Sequence, residues 1–166
     1  MDESRSGYDS AEPQLWSLHP RAVPLWRLKA LFRGTVLTAA VLLVEWSLDL
    51  PLPFGLATIV LAVLVVANAI VTPPLRYRAW RFALREDDLL LRYGVLFRTS
   101  AIVPHVRIQH VDTHHGPLDR ALGLADLLVY TAGSRGAIMT IPALARDDAE
   151  SLRDTLAELS GAGDAV

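Results

Sequence analysis

The spacing of apolar residues changes twice along the chain, and each change marks a new kind of element. Two early stretches are apolar without alternation. Residues 28–48 carry no charge between Arg33 and Glu45, and residues 54–72 carry none at all. A helix needs about 20 apolar residues to cross ~30 Å of hydrocarbon, so 54–72 is predicted to span a membrane. Residues 28–48 span as well if Arg33 reaches one interface and Glu45 the other. A buried core helix would not stay apolar on every face for this length. A cleaved signal peptide would begin earlier and end in a small-residue pattern. The connection "EWSLDLPLPFG" has two acids, two prolines and no basic residue, which reads as a tight turn between antiparallel helices. The first expectation is therefore a two-helix transmembrane hairpin.

The prolines of "TPPLRYRAW" are expected to end the second helix, since proline cannot continue the hydrogen-bond ladder. From Trp80 onward the period becomes two. "WRFAL", "LLLRYG", "VLFRTSAIV", "RIQHVD", "DLLVYTA" and "AIMTI" read as six short strands separated by glycine, proline and acidic turns. The pattern then shifts to 3.6 in "RDDAESLRDTLAEL", with Ala149, Leu152, Leu156 and Leu159 on one face. Such a helix covers the open end of an antiparallel sandwich or partly open barrel. The expected division is a disordered polar tail over 1–20, the hairpin over 21–75, a β domain over 76–160 and a short tail over 161–166.

Composition supports this division. Of 166 residues, 52% are hydrophobic and 20% charged, with a mean hydropathy of +0.31. That is more apolar than a soluble domain. A formal net charge of −2 offers nothing to a nucleic acid, and the absence of cysteine excludes disulfides, thiolate metal sites and cysteine nucleophiles. Arg21, Arg27, Lys29 and Arg33 precede the first span, Arg76, Arg78, Arg81 and Arg85 follow the second, and the connection has none. The positive-inside rule then puts both termini in the cytoplasm. Those last four arginines are also candidates to face anionic lipid. Asn68 lies inside the second span, where it either bonds across to its partner helix or is a lone tolerated polar residue.

The candidate chemistry lies in residues 107–133, "RIQHVDTHHGPLDRALGLADLLVYTAG". In an extended strand His110, Asp112 and His114 point to one face, and imidazoles with a carboxylate suit zinc or iron. No HExxH helix and no Ser-His-Asp set accompanies them, so the alternative is exposed or hydrogen-bonded strand histidines at a contact surface. Arg107 and Gln109 alternate with Ile108 and leave the core face, either to bind a partner or to brace the loop near Gly116. Arg120 carries the same two readings. No glycine-rich phosphate loop is present.

The same run resembles the signature of the bacterial pleckstrin-homology-like domain of YdbS-like membrane proteins. The resemblance rests on Pro104, "RIQHV" at 107–111, "GPL" at 116–118, Arg120, "GLA" at 123–125, Leu127, "VYTAG" at 129–133, and Ile141 with Pro142. It extends over residues 21–159 and includes the order of two membrane helices and then one such domain. It implies a PH-like fold of two packed antiparallel sheets capped by a C-terminal helix, with no catalytic activity and no cofactor. His114 and His115 depart from the pattern. Gly116, Pro117, Arg120, Gly123 and Gly133, with Arg107, Gln109 and His110, are then the motif residues expected to build an interaction surface. The expectation is a non-enzymatic, multi-pass protein of the bacterial plasma membrane. Its domain would act as a scaffold for another membrane protein, such as a larger PH-like relative, or for a second copy of itself. The alternatives are an anionic-lipid-binding module and a metal-dependent membrane hydrolase built on His110, Asp112 and His114.

Overall fold

The computed structural model describes residues 15–48, 53, 55–132 and 138–162. Two long helices come first, α1 (Ala22–Ser47) and α2 (Leu56–Ala79). Three contacts fix them as an antiparallel pair. Near one end, Glu45 accepts hydrogen bonds from the Ala57 backbone N–H (3.0 Å) and the Thr58 hydroxyl (2.5 Å). In the middle, Gly34 packs directly against the Val65 side chain. At the other end, the Arg76 guanidinium lies over the Trp26 ring, 4.5 Å from its centroid. Among the described residues α2 alone is long and apolar enough to cross a membrane. In α1, Arg27, Lys29, Arg33 and Glu45 interrupt the apolar run.

Helix α2 does not stop at its prolines. It runs through Pro73 and Pro74 to Ala79, where the Trp80 N–H still donates to the Arg76 carbonyl (3.2 Å). A proline pair inside a helix costs about 3 kcal/mol or more in isolation. Here packing offsets it: Ala69 and Pro73 are buried, Tyr77 packs on the domain core, and Arg76 is held over Trp26. Asn68 turns out to bond within its own helix, accepting from the Thr72 hydroxyl (2.7 Å).

Six strands follow: β1 (Arg81–Leu84), β2 (Asp88–Tyr93), β3 (Thr99–Pro104), β4 (Ile108–His114), β5 (Leu124–Thr131) and β6 (Ile138–Ala145). They form two antiparallel sheets of three, ordered β1-β2-β3 and β4-β5-β6. A 3-10 turn (His105–Arg107) joins the sheets, and a short helix α3 (Pro117–Ala121) joins β4 to β5. The C-terminal α4 (Arg146–Ala162) buries Ala149, Leu152 and Leu156. The two-sheet architecture with its capping helix is thus as the periodicity predicts. One strand is shorter than its sequence suggests: residues 94–98 are a loop, and β3 begins only at Thr99.

The core is shared between the helices and the sheets. Leu18, Ala22, Leu25 and Trp26 join Trp80, Leu89, Leu91, Leu127, Val129, Ile141 and Leu156 in one buried cluster. The expected disordered tail over 1–20 is therefore ordered at its end. Trp16 exchanges backbone hydrogen bonds with Phe82 (2.7 and 3.0 Å) and meets its ring edge-on at 5.8 Å, while Leu18 is buried. These contacts cover the outer edge of β1, which would otherwise offer unpaired backbone groups. Residues 1–14 and 163–166 lie outside the described residues.

Candidate functional site

The motif segment occupies the 3-10 turn, β4, α3 and β5, and its residues separate into a joint and an outer face. The joint is built by α3. Pro117 starts this helix, Gly116 precedes it in extended conformation, and Asp119 is buried in its first turn. Gly116 sits so close to Asp119 Oδ2 that a side chain there would collide with the carboxylate. That carboxylate reaches back to α1, where Lys29 Nζ donates to both oxygens at 2.8 and 2.9 Å. Arg21 adds a second tie by donating to the Leu122 carbonyl (3.2 Å). Gly123, at φ 68°, turns the chain into β5, and its carbonyl accepts from the Arg146 N–H. Arg120 is exposed on the outer side of α3.

The histidines separate. His105 is the buried one. Its backbone N–H donates to the Asp87 carbonyl (3.0 Å), and its Nε2 lies 2.9 Å from the Arg85 carbonyl. A carbonyl only accepts, so Nε2 carries the proton and His105 clamps the β1–β2 turn. His110 lies on the outer face of β4, stacked on Tyr130 at 4.1 Å, with Nε2 3.2 Å from Asp112 Oδ2. Both partners of that pair are more than half exposed. His114 is exposed opposite Asp126 in the register, and His115 turns toward the Leu124 carbonyl.

The alternative metal set of His110, Asp112 and His114 is not brought together. Among the described residues no three His, Asp or Glu side chains are grouped to hold an ion. Strand geometry explains why: residues i and i+4 are about 13 Å apart along a strand, whereas metal ligands converge within a few ångströms. The residues do share a face, but only the i, i+2 pair can meet.

Arg107 leaves the core face beside buried Ile108 as expected, but from a 3-10 turn and not from a strand. It ends the 3-10 turn, its side chain is exposed, and its carbonyl accepts from the Ala132 N–H (2.8 Å) to extend the β4–β5 pairing. Gln109 is exposed at an irregularity in the β4–β5 register between Ile108 and His110. Gly133 lies outside the described residues.

The four arginines expected to face lipid occupy different settings. Arg76 covers Trp26, Arg78 is exposed, and Arg81 donates to the Trp80 carbonyl (2.6 Å). Arg85 is at the opposite end of the sheet, near Asp88 at 3.7 Å, because the four residues of β1 carry it about 13 Å away.

Three side chains that sequence patterning does not single out are important to this geometry. Lys29 and Asp119 form the joint, and Asp126 Oδ1 accepts from the Ala143 N–H (2.8 Å). Ala143 is fully buried with φ 53°, a left-handed conformation costly for alanine, and its carbonyl accepts from His19. Asp126 follows "GLA" in the motif run, the one local hint that it has a role.

A family model described as bacterial PH domain matches residues 35–160. The UPF0699 transmembrane protein YdbS of Bacillus subtilis is 30% identical over 147 residues, covering 86% of this chain and 91% of that protein. A crystal structure of a duf1696 family protein with a pleckstrin-homology domain, from Shewanella loihica, aligns with 51% of this chain and 74% of its own. Its TM-score is 0.40 and its identity 18%.

Proposed function

Since the chain belongs to the bacterial PH domain family, we propose that it is a membrane-anchored interaction module without catalytic activity. Both helices cross the plasma membrane as a hairpin, and the β domain is held at the cytoplasmic face. The relative named a transmembrane protein and the span-length α2 support the membrane location. The first helix crosses with α2 because its one internal acid is satisfied: Glu45 bonds the first turn of α2 instead of facing lipid. Leu37 and Leu43 on α1, and Ile59 and Val63 on α2, are each more than half exposed, as lipid-facing residues would be. The arginine distribution orients both ends toward the cytoplasm.

The observation that carries the interaction role is the Lys29–Asp119 joint together with the shared core. It presents the domain in one orientation relative to the helices, as a docking platform requires. The outer face of β4 and β5, with His110, Asp112 and Tyr130, is the polar surface available to another membrane protein or a second copy. Affinity purification of the full chain from cross-linked membranes tests this. Recovery of a reproducible membrane-protein partner or self-association, lost on replacing His110 and Tyr130, is expected. Recovery of neither would overturn the reading.

A further inference from the structure

The β2–β3 loop is apolar where a soluble loop is polar. Leu96 is 85% and Phe97 82% exposed, with Val95 at 48%. The loop is held in this shape. Gly94 has φ 108° and lies so close to the Phe97 carbonyl that no side chain could be accommodated. The turn therefore bends sharply and points Leu96 and Phe97 away from the sheet.

Its position gives those side chains a destination. Gly94 and Val95 border one cavity with Thr72 and Arg76 of α2, and another with Leu75 and Arg78. The loop thus runs beside α2 at the level of residues 72–75. Leu75 ends the uncharged stretch of that helix, about 6 Å above Ala79 at 1.5 Å per residue. Behind the loop, Arg78, Arg81, Arg92 and Arg98 line an open cavity of about 710 Å³, and no acidic residue lines it. Arg78, Arg92 and Arg98 form no ion pair with a described residue.

We propose that the β2–β3 loop is a membrane-inserting wedge, in which Val95, Leu96 and Phe97 enter the cytoplasmic leaflet and the four arginines bind the phosphates of anionic glycerophospholipids. Apolar tips backed by cations match the two layers of a lipid interface, hydrocarbon first and phosphate behind it. Ile70 and Val71, just before Thr72 on α2, are exposed as well. This proposal rests on the reading that α2 spans the bilayer.

The chain contains no cysteine, so single-cysteine variants of the full protein carry one environment-sensitive fluorophore each. Leu96→Cys, Val63→Cys and Glu86→Cys are reconstituted in phosphatidylcholine vesicles with and without phosphatidylglycerol, using acyl chains brominated at shallow or deep positions. The label at 96 should be quenched by shallow bromines, the label at 63 by deep ones, and the label at 86, in the β1–β2 turn, by neither. Phosphatidylglycerol should strengthen quenching at 96, and Arg92→Gln with Arg98→Gln should reduce that gain by about fivefold per arginine. A quenched 63 with an unquenched 96 overturns the wedge alone. An unquenched 63 overturns the span reading and the wedge with it. A label at 96 shielded from soluble quencher but untouched by brominated lipid means that a protein covers the loop, which also overturns the wedge. A gain unchanged by the arginine substitutions removes the arginines from the proposal.

Discussion

Lys29 Nζ lies 2.8 and 2.9 Å from the two carboxylate oxygens of Asp119, joining the first helix to the motif turn across 90 positions of sequence. The Asp119 side chain is only 4% exposed, whereas that of Lys29 is 35% exposed. The pair is therefore asymmetric. The carboxylate depends on the ammonium, while the ammonium keeps part of its hydration.

Lys29→Met should leave a buried carboxylate without its cation. Breaking a fully buried pair costs about 3–5 kcal/mol, and partial solvent access at Lys29 lowers that here to about 2 kcal/mol. Asp119→Asn should cost less, because the charge left unpaired is the partly hydrated Lys29 ammonium. Thermal unfolding of the full chain in detergent checks the order, and equal losses for the two variants would contradict the asymmetry.

Asp126→Ala should remove the acceptor for the Ala143 N–H. The expected loss is about 1–3 kcal/mol for a buried unsatisfied donor. Adding Ala143→Gly should recover part of the loss, because glycine adopts φ 53° without strain, although a buried methyl goes with it. Denaturant unfolding of the single and double variants measures the recovery.

Glu45→Ala should uncap the first turn of α2. A lost cap is worth about 1 kcal/mol, equivalent to about fivefold faster hydrogen exchange at Ala57. Glu45→Gln retains an acceptor and should lie between. Exchange at the middle of α2, around Val65, should be unchanged.

The histidines give a fourth prediction. His105→Ala removes a buried ring and its bond to the Arg85 carbonyl, at a cost of about 2 kcal/mol. His110→Ala, on an exposed pair, should cost less than about 1 kcal/mol. Zinc should leave the melting temperature of the native protein unchanged. A stabilisation by zinc that disappears in His110→Ala would revive the metal reading.

Much of this architecture was legible because it depends on local period. The alternation in "DLLVYTA" and the leucine stripe of α4 appear in the fold where patterning places them, whereas β1 buries the neighbours Phe82 and Ala83 together. The errors occur where distant contacts override local preference. The prolines at 73 and 74 are a strong stop signal, yet the buried packing of Ala69, Pro73 and Tyr77 carries the helix past them. "VLF" at 95–97 favours a strand by residue type, but the left-handed Gly94 turns the chain first. Residues 15–20 look like part of the tail because "LWSLHP" is too short to show a period and the burial of Leu18 depends on sheets some seventy positions away. For the site, the motif marks the segment containing Asp119 but not its partner. Nothing in the spacing of α1 distinguishes Lys29 from Arg27 or Arg33.

Only Trp80 separates the last residue of α2 from the first of β1, and Trp80 is buried and stacked on Tyr93 at 4.9 Å. There is no slack where helix becomes sheet. A torque applied to the hairpin is therefore delivered to the domain almost undiminished, as a shaft drives a vane. The direction in which His110 and Tyr130 face is thus set at the helices, at a distance from the face itself.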